Sequence, residues 1–200
     1  MGAVPRTPSR PLAAATPARR ASALPPQQRR AAIIDAIGPL LVEHGERVTT
    51  RQIAHAAGVA EGTIFRVFAD KDELLLAALE AALDMGELEN ALRAIDRDLA
   101  FEPRLVAATE IIQRRVEHVW RLVSSLGPRF QKHAARPLTD SDALAELFAS
   151  ERDRLVIEPE VAARLLRALT LSMTHPMLTG DRTPAADIVA FFLRGAEGAR

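Results

Sequence analysis

From Pro26 onward, apolar residues return every three or four positions and never alternate over the length of a strand. Spacings of three and four gather side chains on one stripe of a helix, whereas a half-buried strand needs every second residue. That periodicity restricts the chain to helix packed on helix. Cysteine is absent, which removes disulfide staples, thiolate metal sites and a cysteine nucleophile. With 48% hydrophobic residues over 200 positions there is enough chain to bury a core. No apolar run reaches the roughly 18 residues that span a bilayer, so no membrane partner is expected.

Punctuation divides the pattern. A first helix is expected to start after Pro25-Pro26, to align Ile33, Ile37, Leu40 and Leu41, and to stop at Gly45. Gly38-Pro39 inside it predicts a kink. Two short helices are expected at Thr50 to Ala57 and about Gly62 to Phe68. A long one should run from Lys71 towards Ala94, with Asp70 as its cap and Glu73 completing a capping-box-like start. Longer amphipathic stretches follow at 103–126, 140–157, 159–178 and 184–197. The expected fold class is all-α, with a compact front module and a larger rear helical bundle.

Charge is unevenly placed. The 26 basic and 26 acidic residues cancel, yet six arginines precede the first acid, Asp35. Neutrality is thus a +6 start set against a −6 remainder. Residues 1–25 are rich in proline, alanine and serine, without periodicity, and are expected to be a disordered basic arm; an arm that touches nucleic acid is the sharper alternative. The stretch Pro11–Ala18 is too broken by proline for a signal-peptide core.

The segment from Thr49 to Phe68 carries the chemistry. Thr49 with Gln52 forms a capping-box start, Ile53 and Ala57 face inward, and Ala54 lets two helices approach closely. Gly58 supplies the positive φ of a tight turn. Val59, Ile64 and Phe68 then close a small core, leaving Glu61, Thr63 and Arg66 outward. This is the pattern of a helix-turn-helix, whose second helix enters the DNA major groove. The spacing alone also fits an ordinary helical hairpin.

At these residues the chain resembles the TetR family of transcriptional regulators. The resemblance runs from about Gln27 to Leu83: Arg29-Arg30, Gly45, Thr50-Arg51-Gln52-Ile53-Ala54, Ala57-Gly58-Val59, Gly62-Thr63-Ile64-Phe65, Phe68 and Lys71-Asp72-Glu73-Leu74-Leu75. It implies a three-helix N-terminal DNA-binding domain over residues 26–84. Residues 85–200 would be a helical ligand-binding and dimerisation domain. Carried over position by position, it makes Thr50, Arg51 and Lys71 phosphate candidates and Arg29 a further DNA-binding candidate, with Gly62 and Thr63 where the backbone comes nearest to DNA. Phe65 keeps the ring but not the hydroxyl of the tyrosine common there. Glu61 and Arg66 are base-reading candidates, Arg66 for guanine and Glu61 for cytosine N4. Ala60 and Val67 are further departures that remove polar groups from this surface.

The rear bundle shows no nucleophile–base–orienter set and no metal-ligand spacing, so neither enzyme activity, metal nor cofactor is expected. Arg115, His118, Trp120, Phe130, Phe148, Met173 and His175 are candidates to line a cavity for a largely apolar small-molecule effector. Leu165, Leu169, Ile188, Phe191 and Phe192 are candidates for a homodimer interface, since adjacent phenylalanines near a terminus are too apolar for a free surface. The expectation is a cytoplasmic bacterial regulator, a repressor released by its effector from a palindromic double-stranded operator. A helical protein-interaction adaptor that keeps the fold without DNA binding is the alternative.

Overall fold

The computed structural model describes residues 25–134 and 137–196. The residues assigned to the basic arm, apart from Pro25, lie outside them. All regular elements among the described residues are helical, in the order α1 (Pro26–His44), a 3-10 turn (Gly45–Arg47), α2 (Thr50–Ala56), α3 (Glu61–Val67) and α4 (Lys71–Leu83). They continue with α5 (Gly86–Arg93), α6 (Phe101–Ser125), α7 (Pro128–Ala134), α8 (Asp142–Ala149), α9 (Pro159–Ser172) and α10 (Ala185–Ala196).

α1 begins at a proline, which lacks only an N–H that would be unpaired there, and runs unbroken through Gly38-Pro39. It buries Ile33, Ile37 and Leu41. Gly45 ends it at φ 58°, a backbone that side chains rarely adopt. A Cβ at that position would lie 2.6 Å from the Ser125 carbonyl oxygen, so the end of α1 meets the end of α6 backbone to backbone.

The long helix expected from Lys71 to Ala94 is two helices. Asp84 adopts an extended conformation after Leu83, and its carboxylate accepts the Gly86 N–H at 2.7 Å. That local turn competes with the helical ladder and starts α5 in a new direction. The expected stretch 140–157 shrinks to α8 and a 3-10 turn at Arg152–Arg154, and α7 appears where no helix was expected.

Two apolar clusters organise the chain. The front one unites α1–α4 around Ile37, Ile53, Ile64 and Phe68, and is completed by Leu122, Leu126 and Phe130 from α6 and α7. The rear one is built by α5, α6 and α8–α10 around Leu105, Leu147, Leu166 and Phe148. Phe148 is fully buried, with the rings of Phe101 and Phe192 each 5.8 Å away in edge-on contact. Helix α6 therefore belongs to both cores, its first half to the rear and its last two turns to the front.

Candidate nucleic-acid interface

The surface expected to meet DNA is built from α2, the following turn and α3. At the start of α2, Gln52 N–H donates to Thr49 Oγ1 at 3.2 Å and Thr49 N–H donates to Gln52 Oε1 at 2.8 Å, a complete capping box. The chain leaves α2 through Gly58 at φ 65°, with Val59 N–H returning to the Ala54 carbonyl at 2.9 Å. Ile53, Ile64 and Phe68 anchor both helices on the front core. The Arg30 guanidinium lies 4.9 Å over the Phe68 ring and closes the α1 side.

On the outer side, Arg51, Glu61, Gly62, Phe65 and Arg66 are exposed, while Arg29, Thr50 and Thr63 are half-buried. Phe65 leaves 55% of its surface in solvent, a large apolar exposure on a seven-residue helix. A Cβ built on Gly62 would meet nothing within 4 Å, so nothing in the chain itself requires glycine there. α3 starts at Ala60 without a side-chain cap.

Two candidates already hold partners within the chain. Glu61, expected to read a base, accepts a hydrogen bond from Thr50 Oγ1 at 2.6 Å and so ties the first turn of α3 to the first residue of α2. Lys71, expected to reach a phosphate, donates from its ammonium to the Glu46 carbonyl and is half-buried. An ammonium has three donors, so a phosphate contact falls to the other two. Neither pairing was legible, because each partner comes from a turn whose path spacing does not give.

Lys71 belongs to a polar junction behind the DNA side. The Arg129 guanidinium grips the Asp72 carboxylate through two hydrogen bonds of 2.6 and 2.9 Å and reaches Glu46 at 3.4 Å. The other Glu46 oxygen accepts the Gly127 N–H. The start of α4 is thereby fastened to the α6–α7 turn, next to the contact between Gly45 and Ser125.

The seven cavity candidates do not form one lining. Phe130 sits in the front core and Phe148 in the rear one. The Trp120 and His175 rings touch at a tilt of 59° with centroids 4.4 Å apart, and Met173 packs half-buried on the rear core. His118 is exposed beside α1 and α4. Arg115 donates to the Asp84 carbonyl at 2.5 Å; burial lowers its pKa, and the charges of Glu87 and Asp84 oppose that shift. Fixed spacing groups residues by helix face but not by depth in the bundle, which is why aromatic residues from two cores looked like one lining. Gln113 was missed altogether. Fully buried on α6, it donates to Thr174 Oγ1 and to the Thr183 carbonyl at 3.1 and 2.8 Å, and accepts from Arg182 at 2.9 and 3.2 Å.

Of the interface candidates, Leu165 and Phe191 are exposed, at 49% and 64%, and Leu169 is half-buried. Ile188 and Phe192 instead face inward and are part of the rear core, so the adjacent phenylalanines divide between surface and interior. Among the described residues no group of three or more His, Asp or Glu side chains is placed to hold a metal ion. No described helix is long and apolar enough to cross a membrane.

This arrangement can be set against known proteins. Over 79 residues the chain is 38% identical to the HTH-type transcriptional repressor AcnR of Corynebacterium diphtheriae, covering 38% of this chain and 42% of that protein. Over 64 residues it is 42% identical to the HTH-type transcriptional regulator HbdR of Aromatoleum sp., covering 32% of this chain and 28% of that protein. The chain thus spans less than half the length of either relative. Its fold is similar to that of a TetR transcriptional regulator of Streptomyces coelicolor, with a TM-score of 0.54 at 20% identity over 86% of this chain and 99% of the other. A TetR-family regulator of Haemophilus influenzae gives 0.55 at 15% identity, over 86% and 98%. Residues 33–78, which hold most of α1 and all of α2 and α3, match the bacterial regulatory proteins of the tetR family. Residues 33–78 thus carry a helix-turn-helix domain of the kind found in the tetR family of bacterial regulatory proteins.

Proposed function

We propose that the protein is a sequence-specific DNA-binding transcriptional regulator, acting as a homodimer on a palindromic operator and most simply as a repressor released by a small molecule. The observation that carries this reading is the outer face of α2 and α3. Arg51, Phe65 and Arg66 stand in solvent on a rigid hairpin, and Gly62 leaves room for close approach. In this reading Arg66 donates to guanine, the Phe65 ring packs on a thymine methyl, and Arg51, Arg29, the backbone N–H of Thr50 and the remaining donors of Lys71 take phosphates.

In this reading residues 26–84 are the DNA-binding unit, and residues 85–200 dimerise and contribute to effector binding. Leu165 and Phe191 supply the exposed apolar face expected of a dimer interface, with Leu169 at its edge. A twofold dimer presents two α3 helices and therefore reads inverted half-sites spaced by whole helical turns. The 1–24 segment would add non-specific attraction. Selection of genomic fragments with purified protein, followed by gel shifts, tests the reading. Arg66→Ala should abolish discrimination at a guanine, and removal of residues 1–24 should flatten the dependence of log K on log salt. Absence of binding to any fragment would instead favour the adaptor.

A further inference from the structure

Between the front module and the rear bundle lies a half-open cleft of about 350 Å³. Ile34 and Pro39 of α1 and Leu122 of α6 form its apolar wall, and the alanines of α4 leave it unfilled. Its polar lining is Asp35 from α1, Glu87 from α5 and His118 from α6. All three are exposed, and none of these side chains is hydrogen-bonded or ion-paired to another described residue.

No lysine or arginine lines this cleft. Arg115, a neighbouring cation whose charge Glu87 feels, commits a donor to the Asp84 carbonyl. The lining itself therefore carries two carboxylates and no lysine or arginine to offset them. Carboxylates without a hydrogen-bonded partner beside an apolar wall complement a cation carried on a small apolar body. A primary ammonium has three donors, which two carboxylates and an imidazole nitrogen can accept. An anion of the same shape meets repulsion, and a neutral analogue loses the Coulombic gain.

We propose that this cleft binds a small organic ammonium and is an effector site of the regulator. Its walls belong to α1 and α4 on one side and to α5 and α6 on the other, so a ligand that touches both has an affinity that depends on their relative placement. Such differential affinity is what couples one site to another. The regulatory half of the inference rests on the DNA-binding function proposed above; the binding half does not.

The test is calorimetry on the full chain without DNA, using 2-phenylethylammonium, its uncharged analogue 2-phenylethanol, and phenylacetate. The ammonium should bind about tenfold more tightly than the alcohol, and phenylacetate should not bind. Asp35→Asn combined with Glu87→Gln should bring the ammonium down to the affinity of the alcohol. Ala81→Leu, which grows a side chain into the cleft from an exposed position, should abolish binding of both while leaving thermal unfolding unchanged. Equal affinity for the three probes, no ammonium binding at millimolar concentration, or binding that survives Ala81→Leu overturns the site. Operator affinity is then measured with and without saturating ammonium. A shift supports the effector role, and no shift overturns that role alone. Failure of the unliganded protein to bind any operator refutes the DNA-binding reading and leaves the calorimetry standing.

Discussion

If Glu61 is occupied by Thr50, its role in DNA recognition is to hold α3 against α2 rather than to read a base. The 2.6 Å hydrogen bond has an ionisable acceptor, a class that contributes about 1.5–3 kcal/mol when shielded. Glu61 is exposed and Thr50 half-buried, so solvent takes the expected value down to about 1 kcal/mol, close to fivefold in an equilibrium constant. The perturbation is a double-mutant cycle with Thr50→Val and Glu61→Ala, read by operator affinity in competition binding. Removing the carboxylate also relieves repulsion by phosphates, and the cycle cancels that term because it is common to both arms. Coupling of about 1 kcal/mol is expected, with base preferences unchanged at every operator position. A reader of cytosine N4 behaves differently: Glu61→Ala would erase about 1–3 kcal/mol of discrimination at a single base pair, and Thr50→Val would leave that discrimination intact. Additive single effects together with a specificity change confined to one position would refute the positioning role.

Other outcomes follow from the packing and the charges. Gly45→Ala should cost at least about 2 kcal/mol in urea unfolding, since it combines a positive φ with a Cβ 2.6 Å from the Ser125 oxygen; an unchanged midpoint would contradict that geometry. Phe148→Ala should cost about 3–5 kcal/mol by opening a cavity among Phe101, Phe192 and their neighbours. Leu165→Glu with Phe191→Glu should leave a folded monomer by sedimentation velocity, and a persisting dimer would remove these residues from the interface. The hydrogen bond from Arg164 holds the Asp140 carboxyl below the usual carboxylate range. Any stability from the pair is therefore present above the ordinary aspartate pKa and is lost as pH falls through the depressed value. Carbon-detected NMR should show Asp140 titrating low, and Arg164→Ala should return it to the ordinary range.

Much of the front module could be read from one-dimensional spacing because its determinants are local. The Thr49–Gln52 capping box, the Gly58 turn and the inward Ile53 and Ile64 each depend on residues a few positions apart. Helix ends were less legible. The break at Asp84 hangs on a side chain capturing the N–H two residues on, a choice that sequence leaves open between helix and turn. Partners far apart in sequence escaped altogether: Glu61 with Thr50, Lys71 with the Glu46 carbonyl, Arg129 with Asp72. The same limit misplaced Phe130 and Phe192, since periodicity says that a residue faces inward but not which core receives it.

The shared ownership of α6 bears on engineering. Grafting residues 26–84 onto a foreign bundle is an obvious route to a regulator with a new sensor. Here it would strip Leu122, Leu126 and Phe130 from the core beneath the α2–α3 hairpin, along with the Arg129 clamp on Asp72. A functional chimera should instead carry the last two turns of α6 and all of α7 with the head. Its seam belongs within α6, where the helix passes from one core to the other.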